Sequence, residues 1–150
     1  MRRVLIIGCP GSGKTTFAKR LAERTGLPLV HLDRIYWCDR WEHLSRDDFD
    51  AALQEELEKP EWIIDGNYNR TLEHRLKYSD MVFFFDMPTA VCLWGITKRV
   101  LQNHERTRQD LGKNCEERFG RNFAELFGKV WIFKKNHRKK SYELLKNVEI

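Results

Sequence analysis

No apolar run in this chain approaches the length of a membrane span, so a transmembrane helix is not expected. The basic pair Arg2-Arg3 runs straight into Val4-Leu5-Ile6-Ile7 and a glycine-rich turn, which is not the layout of a secretory leader and points to a cytoplasmic protein. Cysteine is sparse: Cys9, Cys38, Cys92 and Cys115 lie far apart, form no C-x-x-C pair and have no histidine at zinc spacing. That argues for reduced thiols and against a zinc site or a disulfide framework. Internal repeats and low-complexity segments are absent, as is any helix-turn-helix or comparable DNA-docking module. With 150 residues, 41% of them hydrophobic, the chain suits a single domain spanning 1–150 with one moderate core.

What the chain does carry is an uneven charge. Residues 1–86 hold 13 Lys/Arg against 15 Asp/Glu, whereas 87–150 hold 14 against 7, so the second half carries the positive field behind the net charge of +5. Such a field serves either nucleic acid or the polyphosphate of a bound nucleotide.

Residues 8 to 15, Gly8-Cys9-Pro10-Gly11-Ser12-Gly13-Lys14-Thr15, spell G-x-x-x-x-G-K-T directly after the apolar run. Phe17, Ala18, Leu21 and Ala22 follow at helical spacing before Gly26 supplies a stop and Pro28 restarts the chain. Strand, loop and helix are the context in which this pattern is a phosphate-binding loop. Glycines let consecutive N–H groups turn inward around an anion, and the helix adds the positive end of its dipole. Gly8, Pro10, Gly11, Ser12, Gly13, Lys14, Thr15 and Thr16 are therefore expected to bind ATP. Lys14 would reach the β- and γ-phosphates, the Thr15 hydroxyl would bind Mg²⁺, and Thr16 would contact the α-phosphate.

Beyond the loop, Leu29-Val30-His31-Leu32 reads as a second strand ending at Asp33, followed by an aromatic, charged loop through Trp41. A helix begins near Ser45, shows Phe49, Leu53 and Leu57 on one face, and stops at Pro60. Trp62-Ile63-Ile64 forms a third strand running into Asp65-Gly66-Asn67-Tyr68; a short helix bearing Leu72 and Leu76 precedes a fourth strand, Met81 to Asp86; Pro88 starts the next helix. Strands that are apolar throughout and alternate with helices predict an α/β fold, three αβα layers around a parallel sheet. Ligands in such sheets bind at the carboxyl ends of strands, where Gly8, Asp33, Asp65 and Asp86 fall. From Ala90 onward the pattern is helical, with Val91, Leu93, Trp94 and Leu101 on a first segment and Phe119, Phe123, Leu126, Phe127, Val130 and Phe133 on a later one. The polar, basic stretch 103–115 between them reads as a lid, and 147–150 as the start of a fifth strand.

Several motifs together resemble the small bacterial kinases related to adenylate kinase that are often labelled DNA topology modulation proteins. They are the phosphate loop, His31-Leu32-Asp33 with Trp37, Trp62 through Tyr68, Cys92-Leu93-Trp94, Lys98-Arg99, Arg106-Thr107-Arg108-Gln109-Asp110, Cys115 through Phe119 and Trp131-Ile132-Phe133. The chain departs from that pattern at Gly95, where an arginine is expected after the tryptophan, and at Ile150, where relatives would complete a fifth strand and add a helix.

The resemblance implies an adenylate-kinase-like P-loop fold and assigns further roles. Asp65 stands where adenylate kinases carry the carboxylate of a D-G-F-P-R motif and would orient the metal's water shell; otherwise it caps a helix. Asp33 stands where related small-molecule kinases contact the acceptor and would take the proton of an attacking hydroxyl; otherwise it is a cap or surface charge. A nucleoside monophosphate acceptor would instead call on Arg34 or Arg70 for its phosphate. Arg99, Arg106 and Arg108 would close over the transferred phosphoryl group or form a solvated helix face. Asp86 is a partner of Lys14 or simply a strand end.

Trp37, Trp41 and Tyr68 lie in loops near the strand ends and would line an acceptor pocket. The run Lys134-Lys135-Asn136-His137-Arg138-Lys139-Lys140 invites a nucleic-acid reading, but a solvated helix surface is favoured. The expected function is an ATP- and Mg²⁺-dependent kinase acting on a nucleoside, nucleotide or similar small molecule. The alternative is an ATP-binding regulatory switch that tunes DNA topology or a protein partner.

Overall fold

A computed structural model describes residues 1–103 and 121–146. Four strands, β1 (Arg3–Gly8), β2 (Leu29–His31), β3 (Trp62–Asp65) and β4 (Met81–Phe85), form one sheet in the order β2-β3-β1-β4. All three pairings are parallel, with Leu5 opposite both Ile64 and Val82 and His31 opposite Asp65. The helices between them are α1 (Lys14–Thr25), α2 (Leu32–Tyr36), α3 (Arg46–Leu57) and α4 (Asn69–Leu76). After β4 come α5 (Thr89–Gln102), α6 (Arg121–Ile132), a π-helical turn (Phe133–His137) and α7 (Arg138–Lys146).

Alternation along β1 explains why both sheet faces are covered. Leu5 and Ile7 point to one side with Trp62 and Ile64, where α3 and α4 add Phe49, Leu53, Leu57, Leu72 and Leu76. Val4 and Ile6 point to the other with Ile63, against Ala18 of α1. Each fully buried aliphatic contributes roughly 1.5–3 kcal/mol relative to exposure, so these two layers, rather than strand propensity, hold a β2 of only three residues in place. A third cluster, Cys9, Cys92, Ile96, Val130 and Phe133, seats α5 and α6 beneath the loop that follows β1.

Local signals act where expected at several boundaries. Gly26 adopts the left-handed conformation and donates its N–H to Ala22 O, ending α1, and the Ser45 hydroxyl accepts from Asp48 N to open α3.

Two expectations need correction. The second strand does not run to Asp33: pairing with β3 ends at His31–Asp65, and without a further partner the chain coils at once into α2, putting Asp33 in a helical first turn. On α5 the buried face is Cys92, Ile96 and Val100, whereas Val91, Trp94 and Leu101 are exposed, because the residues spaced by four face the loop after β1. The lid read over 103–115, the motifs at 106–110 and 115–119 and the strand read at 147–150 lie outside the described residues, apart from Asn103. That residue closes α5 by donating both its N–H and its side-chain amide to Arg99 O.

Candidate active site

The turn from β1 into α1 has its form because nothing but glycine fits it. Gly11 has φ +77°, and a Cβ there would overlap the Cys92 carbonyl; a Cβ on Gly95 would overlap the carbonyl oxygen of Gly11. The loop backbone therefore rests directly on α5. That contact is the physical reason for Gly95, at which the family pattern led us to expect arginine. Phe17 N donates to Gly13 O as the first intrahelical bond of α1, so the N–H groups of Lys14, Thr15 and Thr16 precede the ladder and stand open at the helix start.

Lys14 Nζ donates to Cys9 O at 2.7 Å, within the loop itself. Burial lowers its pKa, while the carboxylates of Asp65 and Asp33 work against that. Thr15 Oγ1 donates to Asp65 Oδ2 at 2.8 Å, and His31 Nδ1 lies 3.2 Å from the same oxygen. Asp65 is 5% exposed, and its Oδ1 is buried without a hydrogen bond. An ionised oxygen so placed wants a cation or water, and a hydroxyl beside a carboxylate is the hard oxygen donor set that suits Mg²⁺. The residues present therefore fit a Mg²⁺–nucleotide. Buried Ser12 Oγ, also without a partner, lies in the same loop.

A cavity of about 1300 Å³ opens from this loop. It exceeds the roughly 300–1,000 Å³ of ordinary small-ligand sites, leaving room for two ligands. Pro10, Gly11, Gly13, Lys14, Thr15 and Thr16 line one end. Asp33, Trp37, Trp41, Asp65 and Tyr68 line it too, as does Arg99 from α5. Gly8 terminates β1 just behind it, its N–H 3.4 Å from Asn67 Oδ1. Arg106 and Arg108 lie outside the described residues.

Tyr68, also in the lining, donates its hydroxyl proton to Asp33 Oδ1 at 2.9 Å. Burial and then the Asp33 charge push the Tyr68 pKa upward, so it remains a donor. Tyr36 stacks on His43 with centroids 5.2 Å apart and meets Trp37 edge-on at 4.9 Å; Trp37 in turn meets Trp41 at 5.3 Å. The turn that delivers Trp41 has two successive left-handed residues, Arg40 at φ 53° and Trp41 at φ 63°, each costing roughly 1–2 kcal/mol for a residue with a Cβ.

Three placements were not legible beforehand. Arg75 is fully buried and donates to Gly66 O, Asn67 O and Tyr68 O, at 3.0 to 3.3 Å, clamping the loop after β3; burial brings its pKa down to about 10. Arg70, weighed as a phosphate ligand, is held by Asp50 at 2.7 and 2.6 Å, and neither it nor Arg34 lines the cavity. Asp86 is not a partner of Lys14: it accepts from Lys134 at 2.7 Å, Arg138 at 2.7 Å and Tyr142 at 3.1 Å. Two cations of the basic run, half-buried Lys134 and exposed Arg138, are thereby tied to Asp86, while Lys135, Lys139 and Lys140 are exposed. A polar or basic residue gives no local sign of which distant carboxylate or carbonyl will claim it.

A parallel sheet with a G-x-x-x-x-G-K-T turn at the end of its β1 strand, opening a helix and facing a cavity, defines a P-loop α/β protein. The chain belongs to the AAA domain family, whose model matches residues 3–95. It is 31% identical over 80 residues to an adenylate kinase of Thermotoga neapolitana, covering 53% of this chain and 36% of that protein. With an adenylate kinase of Clavibacter michiganensis subsp. michiganensis it shares 34% over 80 residues, covering 53% and 38%. The chain thus matches little more than a third of the length of these curated relatives. Among solved structures it is similar to a shikimate kinase from Aquifex aeolicus (19% identity, TM-score 0.49, 89% of this chain and 82% of that one). A gluconokinase from Sinorhizobium meliloti is also similar in shape (16%, TM-score 0.47, 94% and 95%). Among the described residues no helix is long and apolar enough to cross a membrane.

Proposed function

We propose that this chain is a phosphotransferase that moves the γ-phosphoryl group of ATP, with Mg²⁺, to a small-molecule acceptor: a nucleoside, a nucleotide or a metabolite of similar size. The observation that carries the reading is a single cavity lined by the loop, the Thr15–Asp65 pair and the Asp33 carboxylate. Phosphoryl transfer asks for alignment and charge neutralisation more than covalent work, and those residues divide the task.

Gly11, Gly13, Lys14, Thr15 and Thr16, in the loop from Gly8 through Thr16, offer backbone N–H groups to the triphosphate, and Lys14 leaves Cys9 O for the β- and γ-phosphate oxygens. Thr15 and Asp65 would hold the metal, which would supply charge neutralisation to the phosphates. Asp33 takes the proton of the acceptor hydroxyl. Arg99 stabilises the equatorial oxygens of the transferred group, with Arg106 and Arg108 assigned the same part; an arginine in that role contributes ~10³- to 10⁵-fold in rate. ATP chemistry with reduced thiols belongs in the cytoplasm.

The competing reading, an ATP-dependent switch acting on DNA topology or on a protein, draws on the exposed Lys135, Lys139 and Lys140. It has no use for the Asp33 and tryptophan wall, which is why the kinase reading is preferred. ADP release from Mg-ATP across nucleosides, nucleoside monophosphates and small alcohols tests it. The expected result is an acceptor-dependent rate that falls at least about a hundredfold in Lys14→Ala. A flat panel from a chain that binds ATP would move the assignment to the switch.

A further inference from the structure

β2 ends in a histidine whose partner is set by the sheet. In the register of β2 on β3, Leu29 pairs with Ile63, Val30 with Ile64 and His31 with Asp65. Side chains of paired residues share a face, and successive pairs alternate between faces. Leu29 and Ile63 pack with Ala18 of α1, Val30 and Ile64 with α3 and α4. His31 and Asp65 therefore return to the α1 side, where Thr15 stands in the first turn of the helix. Asp65 Oδ2 meets two groups there, Thr15 Oγ1 at 2.8 Å from α1 and His31 Nδ1 at 3.2 Å from β2, while Oδ1 has no hydrogen bond. The His31 side chain is 12% exposed and is not part of the cavity lining, so it acts on a bound ligand only through a neighbour.

From this register we infer that His31 is a positioning residue for Mg²⁺: by donating from Nδ1 it fixes the Asp65 carboxylate, and with it the Thr15 hydroxyl, in the orientation that receives the metal. The inference rests on the metal–nucleotide half of the reading above and not on the acceptor.

An ionised carboxylate only accepts, so a ring nitrogen held beside it carries a proton. A carboxylate oxygen has two lone-pair positions, and on Oδ2 Thr15 and His31 take both. The lone pairs left to the carboxylate are those of Oδ1. The Thr15 oxygen, its proton committed to Oδ2, keeps its own lone pairs for a cation. Without His31 the carboxylate is tied by Thr15 alone and can turn about its Cβ–Cγ bond, exchanging its two oxygens. The Lys14 charge attracts Asp65 from the loop, but its ammonium donates to Cys9 O, and a point charge on a flexible stem does not set that rotation. Partners that orient metal-binding groups in this way typically account for about 10- to 100-fold in metal affinity. If His31 were only a well-packed strand end, its loss would lower stability and leave the metal dependence alone.

The test uses the full chain loaded with one equivalent of the β,γ-imido analogue of ATP, which binds without transferring its phosphoryl group. Mg²⁺ is titrated in calorimetrically, with thermal melts and metal-free binding of the analogue measured beside it. His31→Leu, which fills the site without a donor, should raise the Mg²⁺ concentration at half-saturation about 10- to 100-fold and leave metal-free binding unchanged. His31→Asn carries an amide N–H on Cγ, where the imidazole carries Nδ1, and should recover most of that loss. Nitrogen NMR shifts of the wild type should show a protonated Nδ1 on His31, a readout that needs no variant. An unchanged Mg²⁺ titration in His31→Leu, a His31→Asn no better than the leucine variant, or an unprotonated Nδ1 overturns the inference and leaves the kinase reading standing. The expected Mg²⁺ shifts in a chain that no acceptor stimulates to release ADP would remove the kinase reading and keep the role of His31. A wild type indifferent to Mg²⁺ removes both.

Discussion

Asp65 accepts the Thr15 hydroxyl through Oδ2 at 2.8 Å and keeps Oδ1 buried with no hydrogen bond. Burying that oxygen without a hydrogen bond of its own is a cost to folding, set against the attraction of the nearby Lys14 charge. Asp65→Asn should therefore melt at the same temperature as wild type or higher without ligand, and yet need at least about tenfold more Mg²⁺ for half-maximal ADP release. Thermal melts and a Mg²⁺ titration separate the two effects. A variant that loses stability while keeping its metal requirement would make Asp65 a structural cap.

The contact between Gly95 and Gly11 makes a prediction for a residue that touches no ligand. Gly95→Ala forces α5 and the loop apart, at a cost of about 1–3 kcal/mol in stability. ATP affinity should drop by about tenfold or more, since the displaced backbone is the one that faces the phosphates. Gly95→Arg, the residue of the family pattern, should do no better. Unchanged nucleotide affinity in both variants would show that the loop tolerates the shift.

Arg75 fastens the segment that carries Asn67 and Tyr68. Arg75→Met keeps the apolar stem but leaves the Gly66, Asn67 and Tyr68 carbonyls without that donor, each costing roughly 1–3 kcal/mol if it finds no replacement. Urea unfolding should show a loss on the order of 3 kcal/mol, and acceptor binding should weaken more than ATP binding because Tyr68 moves with its loop. A loss confined to the ATP side would contradict this placement.

Asp86 ties α7 to the end of β4. Burial raises its pKa, but hydrogen bonds from Lys134, Arg138 and Tyr142 outweigh that and hold the carboxyl below its ordinary value. A carboxyl depressed on folding stabilises the protein above its unfolded pKa of about 3.9 and loses that contribution as pH falls through the folded value. Melting temperature should be flat from neutrality down to about pH 5, then fall on further acidification, with hydrogen exchange increasing first in α7. Asp86→Asn should lower the neutral-pH melting temperature and flatten the acid limb. An acid limb identical in the variant would assign the titration elsewhere.

The thiols differ in reach. Cys9 is fully buried, and desolvation together with Cys92 pushes it up to about 12, whereas Cys38 is half-buried. A thiol reagent at neutral pH should label Cys38 in the native protein and reach Cys9 and Cys92 only as denaturant unfolds it. Rapid native labelling of Cys9 would mean that the loop opens on its own.

Apolar strands alternating with amphipathic segments were enough to determine the parallel α/β layout, because period and turn chemistry are local and each strand is apolar on both faces. The glycine spacing after β1 likewise marked the phosphate loop, since so few residues tolerate that turn. The tertiary structure decided matters in which partners are distant in sequence. Tyr68 meets Asp33 across 35 residues and Lys134 meets Asp86 across 48, and neither pairing follows from the neighbours of either residue. The same holds for Gly95, whose missing side chain reads as a lost cation until α5 is seen lying on Gly11. The early end of β2 was decided there too, by where β3 stops offering hydrogen bonds. Local chemistry set the elements and the loop; sheet order, and the close approaches it imposes, set which charges and rings share the cavity.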